Sequence, residues 1–239
     1  MRRIDLETTE STNAVLKEHC NETPELILVT AQYQTAGRGS GSNSWESARG
    51  ENLLFSLAYS PSHVQAQDSF VLSEALALAV CEALRTYCDG FLVKWPNDIY
   101  HDHRKVAGLL IENELAGPHV KRCIMGIGLN VNQSHFESDA PNPVSLSSLT
   151  GLHHDREEVL RRVLDSFAAY REQVDAGHYK EIHNRYVSNL YRLGEERTYA
   201  DAKGDFRAVI IGVEPSGHLI LQDSEGQIRR YAFKEIIYK

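Results

Sequence analysis

Apolar residues form runs with the length of buried β-strands at three places in the chain. The runs lie at 26–31, 52–59 and 122–128, and each is bounded by polar or turn-forming residues. The segment 69–87 instead has apolar side chains at every third or fourth position, which predicts a core helix with a wide apolar face. At the start of the chain, Ser11-Thr12-Asn13 precedes a shorter helical pattern and contains residues that cap helix N-termini.

The second half of the chain changes from helical spacing to short strands. A loop without clear periodicity at 133–151 is followed by two predicted helices, at about 155–174 and 179–190. In the first of them, Asp155 followed by Glu158 has the pattern of a capping box. After Gly194, alternating segments separated by glycine-containing turns predict a compact all-β module of about 45 residues, with strands at 206–213, 218–221 and 228–232.

The stretch from Val93 to Glu112 predicts two or three short strands that carry charges at their ends. Pro96 cannot donate to a strand ladder, so the first strand ends or bends at Trp-Pro-Asn. Lys94, Asp98 and Lys105 therefore fall at strand ends with apolar neighbours. Two interpretations remain at this point, a solvated hairpin whose charges face water and a rigid hairpin that aims them at a ligand.

Composition excludes several classes of protein. Apolar residues make up 42% and charged residues 24% of the 239 positions, as in an ordinary soluble protein with one large domain or a main domain and a small appendage. A net charge of −8 without a basic cluster argues against non-specific nucleic-acid binding. No apolar run approaches the roughly 18 residues of a membrane span. The four cysteines lack paired spacing, which favours a reducing compartment such as the cytoplasm.

A glycine-rich stretch at 36–45 holds Arg38 between Gly37 and Gly39. Glycines allow close approach of the backbone to a ligand, and a guanidinium group binds carboxylates and phosphates in pairs of hydrogen bonds. The stretch matches neither the P-loop nor the dinucleotide-binding pattern. Considered alone, the stretch is better interpreted as a flexible surface loop.

His101 and His103 have the spacing that puts two imidazoles on one face of a strand. A zinc site normally needs three or four protein ligands, and no further ligand is evident nearby. The sequence favours a solvated hairpin tip over a metal site.

Five motifs occur together in one order: Ser-Thr-Asn at 11–13, Q-x-x-x-R-G at 34–39, KWPND at 94–98, KVAGLL at 105–110 and GIGLNVN at 126–132. Together they resemble the biotin protein ligase family, and the resemblance runs nearly from end to end of the chain. It implies an α/β (α+β) fold, in which a catalytic domain at 1–190 has a mixed central sheet with flanking helices. An SH3-like β-barrel follows at 191–239. The predicted elements agree with this layout.

The resemblance also implies an ATP-dependent, cytoplasmic ligase. Biotin is adenylated to biotinyl-5′-AMP with ATP and Mg²⁺, and the biotinyl group is then transferred to a lysine of a biotin carboxyl carrier protein, such as that of acetyl-CoA carboxylase. No metal ligand set is expected from the protein alone; Mg²⁺ would arrive with ATP, near Asp98. We expect the protein to bind neither nucleic acid nor membranes, and to be either a monomer or a homodimer.

Functional residues follow from the resemblance position by position. Those implied for catalysis are Lys105, Arg38, Asp98 and Lys94. Those implied for biotin are Ser11, Thr12, Asn13, Gln34, Arg38, Gly39, Ser40, Lys105, Gly108, Gly126 and Gly128. Those implied for ATP are Arg38, Trp45, Lys94, Asn97, Lys105 and Asn130. For Trp45 the alternative is an anchor of the loop in the core, and for Trp95 the core interpretation is favoured.

One departure from the family pattern concerns the residues after Arg38. Family members often carry further arginines there, whereas residues 40–44 of this chain are all neutral. Loss of bidentate arginine contacts predicts weaker retention of the adenylate, by ~1–3 kcal/mol, with more of the binding left to Arg38 and Lys105.

Two other functions compete with this interpretation. A lipoate or octanoate ligase or transferase has a related fold and also modifies a carrier lysine, but the KWPND element and the Arg38 loop favour biotin. A non-catalytic regulator that only binds biotin or the carrier has no need of four converging charges. Since the first motif begins at Ser11, we expect no N-terminal DNA-binding domain and no repressor activity.

Overall fold

The computed structural model describes residues 1–19, 26–39, 41, 43–137 and 142–239. A seven-stranded sheet forms its centre, with the spatial order β1-β2-β3-β7-β6-β5-β4. β1 pairs with β2 in parallel, and every other pairing is antiparallel. The strands are β1 (Arg2–Leu6), β2 (Ile27–Ala31), β3 (Leu53–Tyr59), β4 (Phe91–Lys94), β5 (Asp98–His101), β6 (Arg104–Ala116) and β7 (His119–Leu129).

Within the described residues, five α-helices accompany the sheet, together with a short 3-10 helix at Ala66–Asp68. The large helix α2 is apolar on almost all sides because it lies between the sheet and two further helices, α4 and α5. The much shorter α1 packs against β2, β3 and β7. The helices are α1 (Thr12–His19), α2 (Phe70–Arg85), α3 (Leu146–Thr150), α4 (Arg156–Asp175) and α5 (Tyr179–Ser188).

The two faces of the sheet have different packing. The main core lies on the α2 side and includes Phe55 and Leu57, which have no exposed surface. The opposite face carries a small cluster in which Leu16 of α1 packs on Val29 and Ala58. Because side chains alternate along a strand, the face that is not needed for the main core is available for a binding site.

The C-terminal strands form a second, five-stranded antiparallel sheet with the order β11-β10-β9-β8-β12. Its buried residues, such as Tyr199 and Leu221, belong to the same continuous core as the central sheet. The predicted small all-β module is confirmed. A closed barrel is not seen within the described residues, because β11 and β12, the two edge strands, do not pair with each other. Its strands are β8 (Glu196–Asp201), β9 (Gly204–Val213), β10 (Leu219–Asp223), β11 (Ile228–Tyr231) and β12 (Ile237–Tyr238).

The predicted mixed α/β fold with flanking helices is confirmed, with further elements that were not predicted. The elements without a counterpart among the predicted segments are β1, α3, β8, β12 and the 3-10 helix. The capping box at α4 is half correct, since Asp155 accepts a hydrogen bond from the Glu157 N–H whereas Glu158 binds Arg161 and Arg162. Within the described ranges, no helix has the length and apolar character needed to cross a membrane.

Candidate active site

A cleft of about 550 Å³ opens on the α1 face of the central sheet. Its floor consists of β6 and β7, and its walls are the N-terminus of α1, the glycine-rich loop, the β4–β5 turn and a turn of the C-terminal module. Such a volume is in the range of small-molecule sites. Fourteen of the sixteen residues predicted from the sequence line it: Ser11, Thr12, Asn13, Gln34, Arg38, Gly39, Trp45, Lys94, Asn97, Asp98, Lys105, Gly108, Gly126 and Gly128.

The predicted hairpin holds an ion pair inside the cleft. Nζ of Lys105, at the start of β6, lies 2.7 Å from Oδ1 of Asp98, at the start of β5. The two side chains are only 19% and 24% exposed. The Lys105 ammonium also lies 5.6 Å from the centre of the Trp45 ring, within cation–π range. The structure thus places the charges of the hairpin in a cleft, as the rigid interpretation requires, and not in open solvent.

Lys94 lies between aromatic side chains of the central sheet and of the C-terminal module. Its Nζ donates to the Tyr100 hydroxyl at 3.1 Å and lies 5.0 Å from the ring centre of Tyr238, in the C-terminal module. Burial lowers the pKa of Lys94, and the nearby Asp98 carboxylate opposes this shift in part. A desolvated cation with aromatic neighbours attracts an anion more strongly than one in water.

Backbone hydrogen bonds give the glycine-rich loop a defined shape. The Gly39 N–H donates to the Asn43 carbonyl at 2.7 Å, and the Trp45 N–H donates to the Gly37 carbonyl at 2.9 Å. A Cβ at Gly37 would lie only 2.7 Å from the Trp45 carbonyl oxygen, so glycine is required there. The guanidinium of Arg38, between these bonds, has no ion-pair partner in the part of the chain that the structure describes.

Three glycines leave the cleft floor without side chains. A Cβ at Gly126 would overlap the Asn13 amide, and one at Gly128 would overlap the Trp45 indole. At Gly108, a Cβ would lie 2.9 Å from the Trp45 ring. Asn13 and Trp45 therefore pack directly on the backbone of β6 and β7. A flat ligand could approach the same backbone equally closely, because no side chain stands in between. The buried Trp45 Nε1 has no hydrogen-bond partner among the described residues.

The N-terminus of α1 is held by Gln34. Oε1 of Gln34 accepts hydrogen bonds from the Thr12 N–H at 2.7 Å and from the Thr12 hydroxyl at 3.1 Å. Ser11, Thr12 and Asn13 are almost fully buried. The side chains of the Ser-Thr-Asn motif, at the start of α1, thus form one wall of the cleft.

Two residues that the sequence did not indicate hold this wall in place. The Ser56 hydroxyl lies 2.6 Å from both Thr12 Oγ1 and Asn13 Oδ1. Glu112 accepts from Asn13 Nδ2 at 2.8 Å and from Lys17 Nζ at 2.6 Å. Although burial alone would raise the pKa of Glu112, the hydrogen bonds from Lys17 and Asn13 lower it. A serine within the apolar run 52–59 and a glutamate after a β-rich run are the only sequence signals for them.

The C-terminal module closes one side of the cleft, which the sequence did not indicate either. Phe233, Lys234 and Tyr238 line it. The Phe233 ring packs edge-on against Trp95 at 6.2 Å, and the Trp95 indole donates to the Gly217 carbonyl at 2.9 Å. Trp95 is nearly buried, as the core interpretation predicted, and it joins the two sheets at the cleft.

Asn130 and Ser40 are the two predicted residues not found among those that line the cleft. Asn130 is buried below it, and its Nδ2 faces the backbone carbonyls of Lys105 and Val144 at 3.5 and 3.3 Å. Its Oδ1 has no partner within the described ranges. Ser40 lies outside the described residues.

The described residues contain no cluster of three or more histidine, cysteine, aspartate or glutamate side chains that could hold a metal ion. His101 contacts Asp102 at 3.2 Å, whereas His103 binds the Tyr191 hydroxyl at 2.7 Å. Among the described residues that line the cleft, Asp98 is the one carboxylate.

Comparisons with known proteins agree with this geometry. The chain is 33% identical over 233 residues to the biotin–[acetyl-CoA-carboxylase] ligase of Paracoccus denitrificans, covering 93% of this chain and 95% of that protein. It is 32% identical over 221 residues to the bifunctional ligase/repressor BirA of Bacillus subtilis, covering 89% of this chain and 66% of that protein.

A solved structure has the same fold over the whole chain. The biotin protein ligase of Aquifex aeolicus, in complex with biotin and ATP, superposes with a TM-score of 0.81 at 30% sequence identity. The alignment covers 100% of this chain and 98% of that chain. The model of the Biotin/lipoate A/B protein ligase family matches residues 6–130, about half of the sequence. The chain therefore belongs to the Biotin/lipoate A/B protein ligase family.

Proposed function

We propose that this protein is a biotin–[biotin carboxyl carrier protein] ligase, which adenylates biotin with ATP and transfers the biotinyl group to a carrier lysine. The observation that carries the proposal is the convergence of Arg38, Lys94 and the Lys105–Asp98 pair in one cleft with a glycine floor. A protein that only bound biotin would have no use for three cations beside a carboxylate. The biotin ligases to which the chain is similar agree with this activity.

In the first step, a carboxylate oxygen of biotin attacks the α-phosphorus of ATP, and the bond to the departing pyrophosphate breaks. An anion then approaches a polyanion, so the reaction needs preorganised positive charge at the forming bond. We assign Lys105 and Arg38 to this charge, with Lys94 supporting the phosphate environment. Lys105 is the residue we expect to be most costly to lose, since it reaches into the cleft from the floor.

In the second step, the amine of the carrier lysine attacks the biotinyl carbonyl carbon, and AMP leaves. A lysine side chain is normally protonated, so a nearby base must accept its proton. Before substrates bind, the Asp98 carboxylate is paired with Lys105. When Lys105 turns to the anionic substrate, its partner carboxylate becomes free to orient or deprotonate the incoming amine.

The remaining assignments concern binding. We assign the biotin ring system to the wall of Ser11, Thr12, Asn13 and Gln34 above the glycine floor, with Gly39 and Ser40 at the carboxylate. Trp45 would cover the adenine, and Asn97 would support the phosphates. For Asn130, a role in reading the adenine edge would require its Oδ1, which has no partner among the described residues, to become accessible from the cleft, because the side chain is buried below it.

Magnesium fits this site as a companion of ATP. Mg²⁺ in nucleotide sites keeps several waters and binds one or two carboxylates together with the phosphates. The carboxylate of Asp98 meets that requirement, and the metal would neutralise phosphate charge. We further propose a cytoplasmic protein that binds no nucleic acid, a division into domains at 1–190 and 191–239, and either a monomer or a homodimer.

Transfer of biotin to a purified carrier domain, with ATP and Mg²⁺ and with detection by streptavidin, tests the proposal directly. Biotin-dependent ATP–pyrophosphate exchange isolates the first step, and the same assay with lipoate or octanoate separates the related activity. Exchange that requires biotin and fails with lipoate supports the proposal. Exchange with lipoate alone would overturn it in favour of a lipoate ligase.

A further inference from the structure

A turn of the C-terminal module carries a lysine where the backbone favours glycine. Lys234 has φ +71°, in the left-handed region that side chains other than glycine and asparagine rarely adopt. The turn is closed by the Glu235 N–H donating to the Ala232 carbonyl at 3.2 Å and by the Ala232 N–H donating to Glu235 Oε2 at 2.8 Å. Tyr231 and Ile236, on either side, are buried. The conformation of Lys234 is therefore imposed by its surroundings.

The Lys234 side chain reaches across the cleft mouth to the glycine-rich loop. A Cβ at Gly41 would overlap its Nζ, so the ammonium lies directly against the loop backbone. Lys234 lines the cleft, and its exposed ammonium forms no ion pair with any residue that the structure describes. Unusual backbone conformations that the surrounding fold maintains are typical of functional sites.

The loop that Lys234 touches is short of positive charge. Arg38 is the one cation between residues 36 and 45, and the positions that follow it are neutral. In the proposed reaction, Lys105 and Arg38 serve the α-phosphate at the floor. A triphosphate bound in this way would direct its outer phosphates toward the cleft mouth, where the loop supplies no further cation.

We propose that Lys234 supplies this missing cation and binds the pyrophosphate portion of ATP in the adenylation step. The inference rests on the proposed function and names a further ligand-binding residue for it. The C-terminal module then contributes a charged group to the nucleotide site as well as a wall. Because the ammonium is exposed, one charge-assisted hydrogen bond predicts about a tenfold effect on ATP binding.

Lys234→Gly is a clean test, since it removes the cation and relieves the backbone strain together. We expect the KM for ATP in biotin-dependent exchange to rise about tenfold, the KM for biotin to stay within twofold, and the melting temperature to stay equal or rise. Lys234→Asn, which also tolerates the left-handed region, should give the same result, and Lys234→Arg should retain the wild-type KM. Lys203→Ala removes a charge from an exposed turn of the same module outside the cleft and is the matched control.

Transfer from pre-formed biotinyl-adenylate to the carrier distinguishes a role of Lys234 at the outer phosphates from a role at the α-phosphate. This half-reaction contains no pyrophosphate, so Lys234→Gly should leave its rate unchanged. An unchanged KM for ATP, or a slower half-reaction, would overturn the inference while leaving the proposed function intact. If the wild-type protein showed no biotin-dependent exchange, the proposed function and this inference would both fail.

Discussion

Ser56 offers a sharp test of how the biotin wall is held in place. Asn13 Nδ2 faces the Glu112 carboxylate, so its Oδ1 must face Ser56. An amide oxygen only accepts, and the single hydroxyl proton of Ser56 therefore goes to Asn13. The Ser56 oxygen also lies 2.6 Å from Thr12 Oγ1, and the single Thr12 hydroxyl proton is shared between Ser56 and Gln34 Oε1. One buried hydroxyl thus fixes two residues of the Ser-Thr-Asn motif.

Ser56→Ala removes both bonds without changing the backbone or opening a large cavity. Ser56 has no exposed surface and Asn13 is only 5% exposed, so no bulk water replaces the lost donor. An unsatisfied buried acceptor costs about 1–3 kcal/mol, and we expect the free energy of unfolding to fall by that amount. Misplacement of Thr12 and Asn13 should lower kcat/KM for biotin by about 10- to 100-fold, while the KM for ATP stays within twofold.

The matched control is Thr30→Val on the neighbouring strand β2. The Thr30 hydroxyl is also buried and donates to Asp5 Oδ1 at 2.6 Å, but it does not line the cleft. This variant should lose about 1 kcal/mol of stability and keep wild-type kinetics. Urea unfolding and biotin-dependent exchange measure the two quantities separately. If Ser56→Ala lost stability like the control but kept its kcat/KM for biotin, the positioning role would be refuted.

Three further predictions concern the charged groups. Lys105→Ala should slow biotin-dependent exchange by about 10²–10³-fold with an unchanged circular dichroism spectrum, and retained exchange would contradict its assignment. Asp98→Asn should slow transfer from pre-formed adenylate by about 10²-fold and exchange by less; equal losses would argue against a role as base. His183 Nδ1 lies 2.6 Å from the buried Glu74 carboxylate, and this hydrogen bond raises the pKa of His183 above 6.5. Its contribution to stability is therefore full below the unfolded pKa and lost as the pH rises through the folded one. Urea unfolding at about pH 6 and pH 9 should show a larger loss for wild type than for His183→Gln, and equal losses would exclude the linkage.

Elements whose signal is local were predictable from the sequence. The β3 run, the α2 periodicity and the breaks of the hairpin around Pro96 all depend on neighbours within a few residues, and the structure has each of them. The motif residues of the hairpin and the glycine-rich loop also meet in one cleft. Residue spacing alone left open whether the hairpin and the loop face solvent or a ligand, and the resemblance to the family predicted that they share a site.

What the sequence did not reveal depends on contacts between distant segments. β1 has only two apolar residues, Ile4 and Leu6, and forms a strand because β2 pairs with it in parallel. In the sequence, Ser56 is only a single polar residue within an apolar run. Its hydrogen bonds to the Ser-Thr-Asn motif arise because α1 packs on β3. Nothing in the local pattern around Lys234 indicates that its turn reaches the loop near Gly41.

The two-faced central sheet also separates the residues that keep the protein folded from those that decide which acid it accepts. Leu109 and Ile127 border the cleft but also belong to the main core, whereas Leu110, on β6, lines the cleft without belonging to that core. Variation at a cleft-facing position such as Leu110 can change the shape of the accepted molecule while the core remains intact. The glycine floor lacks this freedom, because any side chain at Gly126 or Gly128 would overlap Asn13 or Trp45. A new substrate specificity should therefore arise from single substitutions at Leu110 and at neighbouring residues of the cleft wall. Such substitutions should lower the free energy of unfolding only slightly.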